Sequence, residues 1–254
     1  MKKNRIAAQM YSFRDFIKTP EAFADTVSKL KKMGYDAIQL SGSIAPMPEK
    51  ELRRILDGEG IVAPTAHETA ARIIDETDLA IEHLLKLECF HVAYPYPSQL
   101  PKDAEETIIF ATLLEQAAKK MKKSGITLAY HNHSIEFLRF GNQTMLDIIY
   151  SNTSTLEAEL DTFWVHAGGG NAVDWIKRLA PRMSVLHIKD FGITDPDNRV
   201  MMPIGGGNLD WPGIVSAAED GGVEWFVVEH DGDCPDPFVS FKTSMDFLCE
   251  NFVK

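Results

Sequence analysis

The chain is poor in cysteine, in basic charge and in long apolar runs, and each shortage closes off a class of protein. There are three cysteines in 254 residues, Cys89, Cys234 and Cys249, and no CxxC spacing. An odd number without paired spacing argues against a disulfide framework and for reduced thiols. No apolar stretch approaches the ~18 residues that a membrane helix needs. Met1-Lys2-Lys3-Asn4 leads straight into a strand-like run, without the apolar segment of a secretory signal. Together these set the expectation of a cytoplasmic protein with no membrane partner. Basic residues number 26 against 37 acidic ones, a net charge of −11. Such a charge repels a phosphate backbone, so no nucleic-acid partner is expected. The basic clusters, Lys29 to Lys32 and Lys119 to Lys123, fall at the ends of predicted helices, where cations complement the helix dipole. Also missing is a GxGxxG turn after the first apolar run. That turn reads Tyr11-Ser12-Phe13-Arg14-Asp15, which argues against a dinucleotide-binding doubly wound sheet.

What is present is an ordinary globular composition, 44% apolar and 25% charged, organised as a recurring unit. A helix end, a glycine and a short apolar run follow one another at Lys29–Leu40, Lys119–Tyr130 and Ala217–Glu229. Glycine past a helix end, followed by such a run, is half of a βαβ unit. Eight runs read as strands: 5–11, 36–40, 61–66, 90–94, 126–131, 156–161, 184–188 and 224–229. Helical patterns fill the intervals near 20–33, 49–58, 75–87, 103–123, 143–151, 171–180, 211–220 and 237–252. The runs are apolar throughout, as strands covered on both faces should be. Eight alternations with no composition break predict one (β/α)8 barrel over residues 1–254.

Polar residues gather where these strands stop. Barrel chemistry occurs at that face, with groups drawn from several strands. Asp161, His187 and Glu229 close three successive strands, and charged groups on buried strands need a partner or a cation. Carboxylates with imidazole suit a divalent ion such as Mn, Mg, Co or Zn. Salt bridges are the alternative for Asp161 and Glu229. A fourth ligand is expected from strand five, where His131 and Glu136 compete. His131 and His133, two residues apart, share one strand face. Tyr11, His67, His133, Trp164 and His166 are expected to face a substrate. His83 and His91 lack strand-end partners and read as packed, hydrogen-bonded histidines. Gly205-Gly206-Gly207 reads either as an amide cradle for an anion or as a loop leading into a helix capped by Asp210, and Gly168-Gly169-Gly170 is similar.

Six segments in order resemble the xylose isomerase-like barrel superfamily of sugar-phosphate isomerases and epimerases. They are Gln9–Asp15, Tyr130–Phe137, Leu160–Trp164, Leu186–Asp190, Ile204–Trp211 and Val228–Asp231. The resemblance covers nearly the whole chain. It implies a metal held by Glu, Asp, His and Glu from strands five to eight, the last three matching Asp161, His187 and Glu229. At strand five the usual glutamate position is His131. Glu136 is then expected as the fourth ligand from the following loop, with His131 as ligand the alternative. The implied activity is a metal-dependent isomerase or epimerase on a sugar or sugar phosphate. It would work through an enediolate, with Glu229, His131 and Lys189 as catalytic groups. A lyase or dehydratase on a keto-sugar or inosose shares the first step. A barrel that binds sugar, or serves as a partner subunit, without turnover is the third reading. The superfamily's multi-metal DNA-repair endonucleases need more His and Glu ligands than can be placed here. Homo-oligomerisation stays open.

Overall fold

A computed structural model describes residues 1–196, 198–232 and 234–254. Eight parallel strands close into a barrel: β1 (Ile6–Gln9), β2 (Ala37–Leu40), β3 (Val62–His67), β4 (His91–Tyr94), β5 (Thr127–His131), β6 (Glu157–Asp161), β7 (Val185–Ile188) and β8 (Trp225–Val228). Each pairs with its sequence neighbours and β8 closes on β1, as a run of right-handed βαβ crossovers requires. All strands but one lie inside the runs expected for them; β3 extends one residue further, to His67. The helices follow the expected intervals, with Lys31 and Lys32 and then Lys119, Lys120 and Lys122 in last turns. No helix among the described residues is long and apolar enough to cross a membrane.

Alternation along the strands separates two interiors. Even-numbered residues such as Ile6, Ile38, Leu128, Leu160, Leu186 and Val228 join the large core between sheet and helices. Odd-numbered ones point into the barrel, where Ala7, Ala37, Val185 and Val227 form a small apolar plug with Trp225. Above that plug the inward positions become polar: Gln9, Gln39, His131, Glu159 and His187 are all buried.

Two features were not anticipated. A short helix, Thr162–Ala167, follows β6, and a β-hairpin, Asp190–Asp195 with Asn198–Met202, follows β7. The hairpin starts at Asp190, whose carboxylate accepts N–H bonds from Gly205 (2.9 Å), Gly207 (3.0 Å) and the Trp211 indole (2.8 Å). The Gly205–Gly207 cradle is therefore filled by the chain's own anion. A Cβ on Gly207 would lie 2.4 Å from Asp190 Oδ1, so only glycine fits. Asp210 caps the following helix, accepting from Gly213 N at 3.1 Å. In the other glycine run, Gly168 and Gly170 press against Phe137.

β6 is anchored from outside by Glu115 of the helix Ala104–Lys122. Its carboxylate accepts the backbone N–H groups of Ser154 (3.1 Å), Thr155 (2.9 Å) and Leu156 (3.0 Å). Burial pushes this carboxyl up, but the bonds from Leu156 and Thr155 outweigh it and bring it down to about 2. A lowered carboxyl stabilises the fold fully above its ordinary value of 4.5 and loses that contribution as pH falls towards 2. Glu115→Gln is therefore expected to cost about 1.5–3 kcal/mol at neutral pH. Urea unfolding at a series of pH values should show the gap between the two proteins narrowing below about pH 4.5. A gap independent of pH would remove the carboxylate from the account.

Candidate metal centre at the barrel mouth

The strand pairing sets the depth of each group. Asp161 lies in register with His187, and His131 with Glu159 one layer below. His187 spans the two layers. Its Nδ1 is 3.0 Å from Glu229 Oε2, and its Nε2 is 3.0 Å from Glu159 Oε1 and 2.7 Å from Gln39 Oε1. Burial pushes His187 down, but Glu159 and Glu229 more than reverse this and raise it to about 10. With both ring nitrogens facing carboxylates, it stands as an imidazolium.

Lys189 is the second cation, fully buried one inward position further along. Its ammonium lies 2.9 Å from Glu229 Oε2, 3.1 Å from Asp231 Oδ1 and 3.2 Å from Asp161 Oδ2. Burial lowers its affinity for the proton, but Asp161, Glu229 and Asp231 outweigh it and hold it above the usual lysine value. Conversely, burial raises Glu229, yet Lys189 and His187 take it well below the carboxylate range. Asp161 is left at about 6, because burial prevails over Lys189 and His187. His131 is pushed well down, by burial first and then by the cationic His187, so it stays neutral.

One atom from each of His131, Asp161, His187 and Glu229 lies within 4.8 Å of the others. That spacing suits ligands at ~2.0–2.2 Å from a common ion. Two atoms of these residues lack hydrogen bonds: His131 Nδ1, 3.5 Å from Glu159 Oε1, and Asp161 Oδ2, which has ion pairs with Lys189 (3.2 Å) and His187 (4.0 Å). Charge agrees. To ligate, His187 must give up its Nδ1 proton; the four carboxylates (Glu159, Asp161, Glu229, Asp231) would then face Lys189 alone, an excess of negative charge that a dication reduces. The donor set therefore fits a divalent ion. A second group, His67, His131, Glu159 and His187, is as compact. There Glu159 already bonds to His67, His187 and Gln39, so it reads as the shell that orients the imidazoles.

Glu136 is not part of either group and requires a correction to the expected ligand set. The 3-10 turn Ile135–Phe137 folds it back onto its own loop, where it accepts from Tyr130 OH (2.6 Å) and His133 N (2.7 Å). Of the two strand-five candidates, His131 is the one that the structure brings into the cluster. Glu159, Gln39 and Asp231 had been given no role. The available signal was spacing: Glu159 and Asp231 each sit two residues from an expected ligand, on the same inward face.

The remaining expected residues separate by position. His67 stacks on His187 at 5.1 Å in the lower layer. His133 packs against Trp164 and Tyr96 at the mouth, with its Nδ1 buried and unbonded, as is Trp164 Nε1. Tyr11 is at the rim under Arg14, away from the ligands. His166 is exposed and packs on Phe191 beside the site. Of the two histidines expected to be packed, His83 pairs with Glu49 at 3.0 Å, whereas His91 Nδ1 has no partner among the described residues.

This geometry reverses the weight given to the two strand-five candidates. His131→Asn is expected to weaken divalent-ion binding by about tenfold or more. Glu136→Gln is expected to leave it within about threefold of the parent, a margin set by the 10–100-fold typical of supporting groups. Titration in a metal-ion buffer measures both. Loss of the ion only in the Glu136 variant would make the turn, not β5, the source of the ligand.

No curated protein matches the sequence. Solved structures of similar fold include a sugar phosphate isomerase/epimerase from Parabacteroides distasonis, 21% identical over 99% of this chain and 96% of that one, with a TM-score of 0.81. A xylose isomerase-like TIM barrel protein from Mycobacterium smegmatis in complex with magnesium is 14% identical over 98% and 97%, TM-score 0.76. A probable 3-DHS dehydratase from Bacillus anthracis is 15% identical over 98% of each chain, TM-score 0.73. At these identities the likeness is one of fold. Sequence similarity to the xylose isomerase-like TIM barrels extends over residues 27–251, and the chain belongs to that family.

Proposed function

We propose that the protein is a metal-dependent isomerase or epimerase of a sugar or sugar phosphate, moving a proton on the carbon next to a carbonyl. The observation that carries this is the convergence of His131, Asp161, His187 and Glu229, with unbonded Asp161 and His131 atoms among them, beside Lys189. Fold neighbours include a sugar phosphate isomerase/epimerase and a structure with magnesium. A divalent ion in such a site polarises a carbonyl and lowers the pKa of the adjacent C–H.

Glu229 is unprotonated at neutral pH, held so by Lys189 and His187 despite its burial. It is the group best placed to accept the proton. One oxygen, Oε2, is engaged with Lys189 and His187, which leaves Oε1 for the substrate. Lys189 holds its charge one hydrogen bond away and can stabilise an enediolate oxygen. His131, neutral and on the facing strand β5, offers its unbonded Nδ1 as a ligand, so proton transfer rests with Glu229. The unbonded His133 Nδ1 and Trp164 Nε1 suit the hydroxyl groups of a polyol.

Elimination begins with the same proton removal and ends with loss of a β-substituent; the dehydratase neighbour makes it the second reading. Incubation with ketoses and 3-keto-sugars in deuterated water separates them. Isomerisation or epimerisation leaves deuterium in a product of unchanged formula apart from the isotope, whereas elimination loses water or a glycosyl group. Glu229→Gln keeps a ligand oxygen but not the basic one. It is expected to slow deuterium incorporation by about 10²–10⁴-fold while keeping part of the metal affinity. Exchange within about threefold of the parent, well short of that loss, would move the base elsewhere.

A further inference from the structure

Beside the ligand cluster lies a cavity of about 720 Å³ that the chemistry above does not use. Phe163, Trp164 and Phe191 form its aromatic walls, and its polar lining consists of His166, Asn198 and Arg199. The short helix Thr162–Ala167 and the hairpin that begins at Asp190 bring these residues together. The cavity adjoins the reacting centre on two sides. The Trp164 ring has the Lys189 ammonium 5.4 Å from its centroid, and Gly232 in the cavity wall directly follows Asp231, a Lys189 partner.

Its charge is opposite in character to the rest of the protein. The chain carries an excess of 11 acidic residues, yet no Asp or Glu lines this cavity among the described residues. Each polar side chain among the described residues of its wall carries an N–H donor, that of Asn198 being given to Thr194 Oγ1 at 2.8 Å. Arg199, exposed on the hairpin, forms no ion pair with a described carboxylate. A guanidinium with no carboxylate partner among the described residues, at the wall of a cavity beside the ligand cluster, matches a planar or tetrahedral oxyanion. The aromatic walls suit the C–H face of a sugar carrying it.

We propose that this cavity is a subsite for an anionic substituent of the substrate, a phosphate or a carboxylate, bound by Arg199 with His166 and Asn198. The assignment deepens the sugar isomerase reading and rests on it for the word substrate, but binding can be tested without turnover. Inorganic phosphate, glucuronate and glucose would be titrated separately into the purified full-length protein. The Trp164 indole N–H, followed by NMR, reports on the cavity. Phosphate or glucuronate is expected to shift this signal, and Arg199→Gln to weaken that binding by about tenfold. Chelation of divalent ions is expected to leave it within about twofold, well inside the tenfold change at Arg199. A response to phosphate alone assigns a phosphorylated sugar, and one to glucuronate alone a sugar acid. The proposal is overturned if neither anion shifts Trp164, if glucose binds as well as the anions, or if binding survives Arg199→Gln. It is equally overturned if chelation abolishes binding, since the anion would then sit on the metal. Absence of deuterium exchange with intact anion binding would remove the isomerase reading and leave the subsite.

Discussion

The structure depends on pairing the buried charge of Lys189. An ammonium taken out of water costs several kcal/mol unless opposite charges surround it closely. Asp161, Glu229 and Asp231 do so from β6 and from the loop after β8, all within 3.2 Å. Removing any one carboxylate leaves the cation underpaired, and removing the cation leaves three acids facing one another. The mouth of the barrel is thus fixed by electrostatics as much as by packing. Asp161 and Glu229 would therefore be shared between Lys189 and a divalent ion, leaving more of the lysine's charge to Asp231 and a substrate.

Beneath this upper layer, Glu159 organises three imidazoles. It bonds to His67 and His187 and lies 3.5 Å from His131. A carboxylate behind a ligating imidazole fixes which nitrogen carries the proton and makes the other a better donor to a metal. His187 has this arrangement, with Glu159 at Nε2 and the ligand cluster at Nδ1. Gln39 links the two, contacting both Glu159 and His187, so the polar layer closes on itself above the apolar plug. A barrel interior tolerates this much polarity because rigid parallel strands hold each group at a set height.

Much of the fold and part of the site could be read in the residues. Apolar runs separated by glycine-ended helices report a barrel because strands covered on both sides have no polar face to show. Asp161, His187 and Glu229 stood out for the same reason, as charges where the strand pattern demands apolar groups. What stayed hidden was depth. Glu159 lies on the same inward face as Asp161, but only the register with His131 and His187 shows that it belongs to a layer beneath. Glu136 failed for another reason. Its reach depended on a 3-10 turn that directs the carboxylate back to Tyr130 and His133, and no spacing rule reports that. The hairpin after β7 was missed because short, polar antiparallel strands look like a loop. Its anchor, Asp190, is a long-range contact with Gly205 and Gly207.

The acid–base character of the cluster narrows the chemistry it can perform. Glu229 is a weak base, because the cations that keep it ionised also stabilise its charge. A weak base removes a proton only from a carbon made acidic by other means, which an enediolate-forming reaction on a polarised carbonyl satisfies and an unactivated C–H does not. Asp161, raised to about 6, lacks that constraint but has Oδ1 committed to Trp164 N at 2.9 Å, which fixes its orientation. His131 stays neutral beside the cationic His187, so its Nδ1 lone pair is available to an ion. Were it to ligate, Glu229 would be left as the base at the mouth, in place of the two-glutamate arrangement that the resemblance implied.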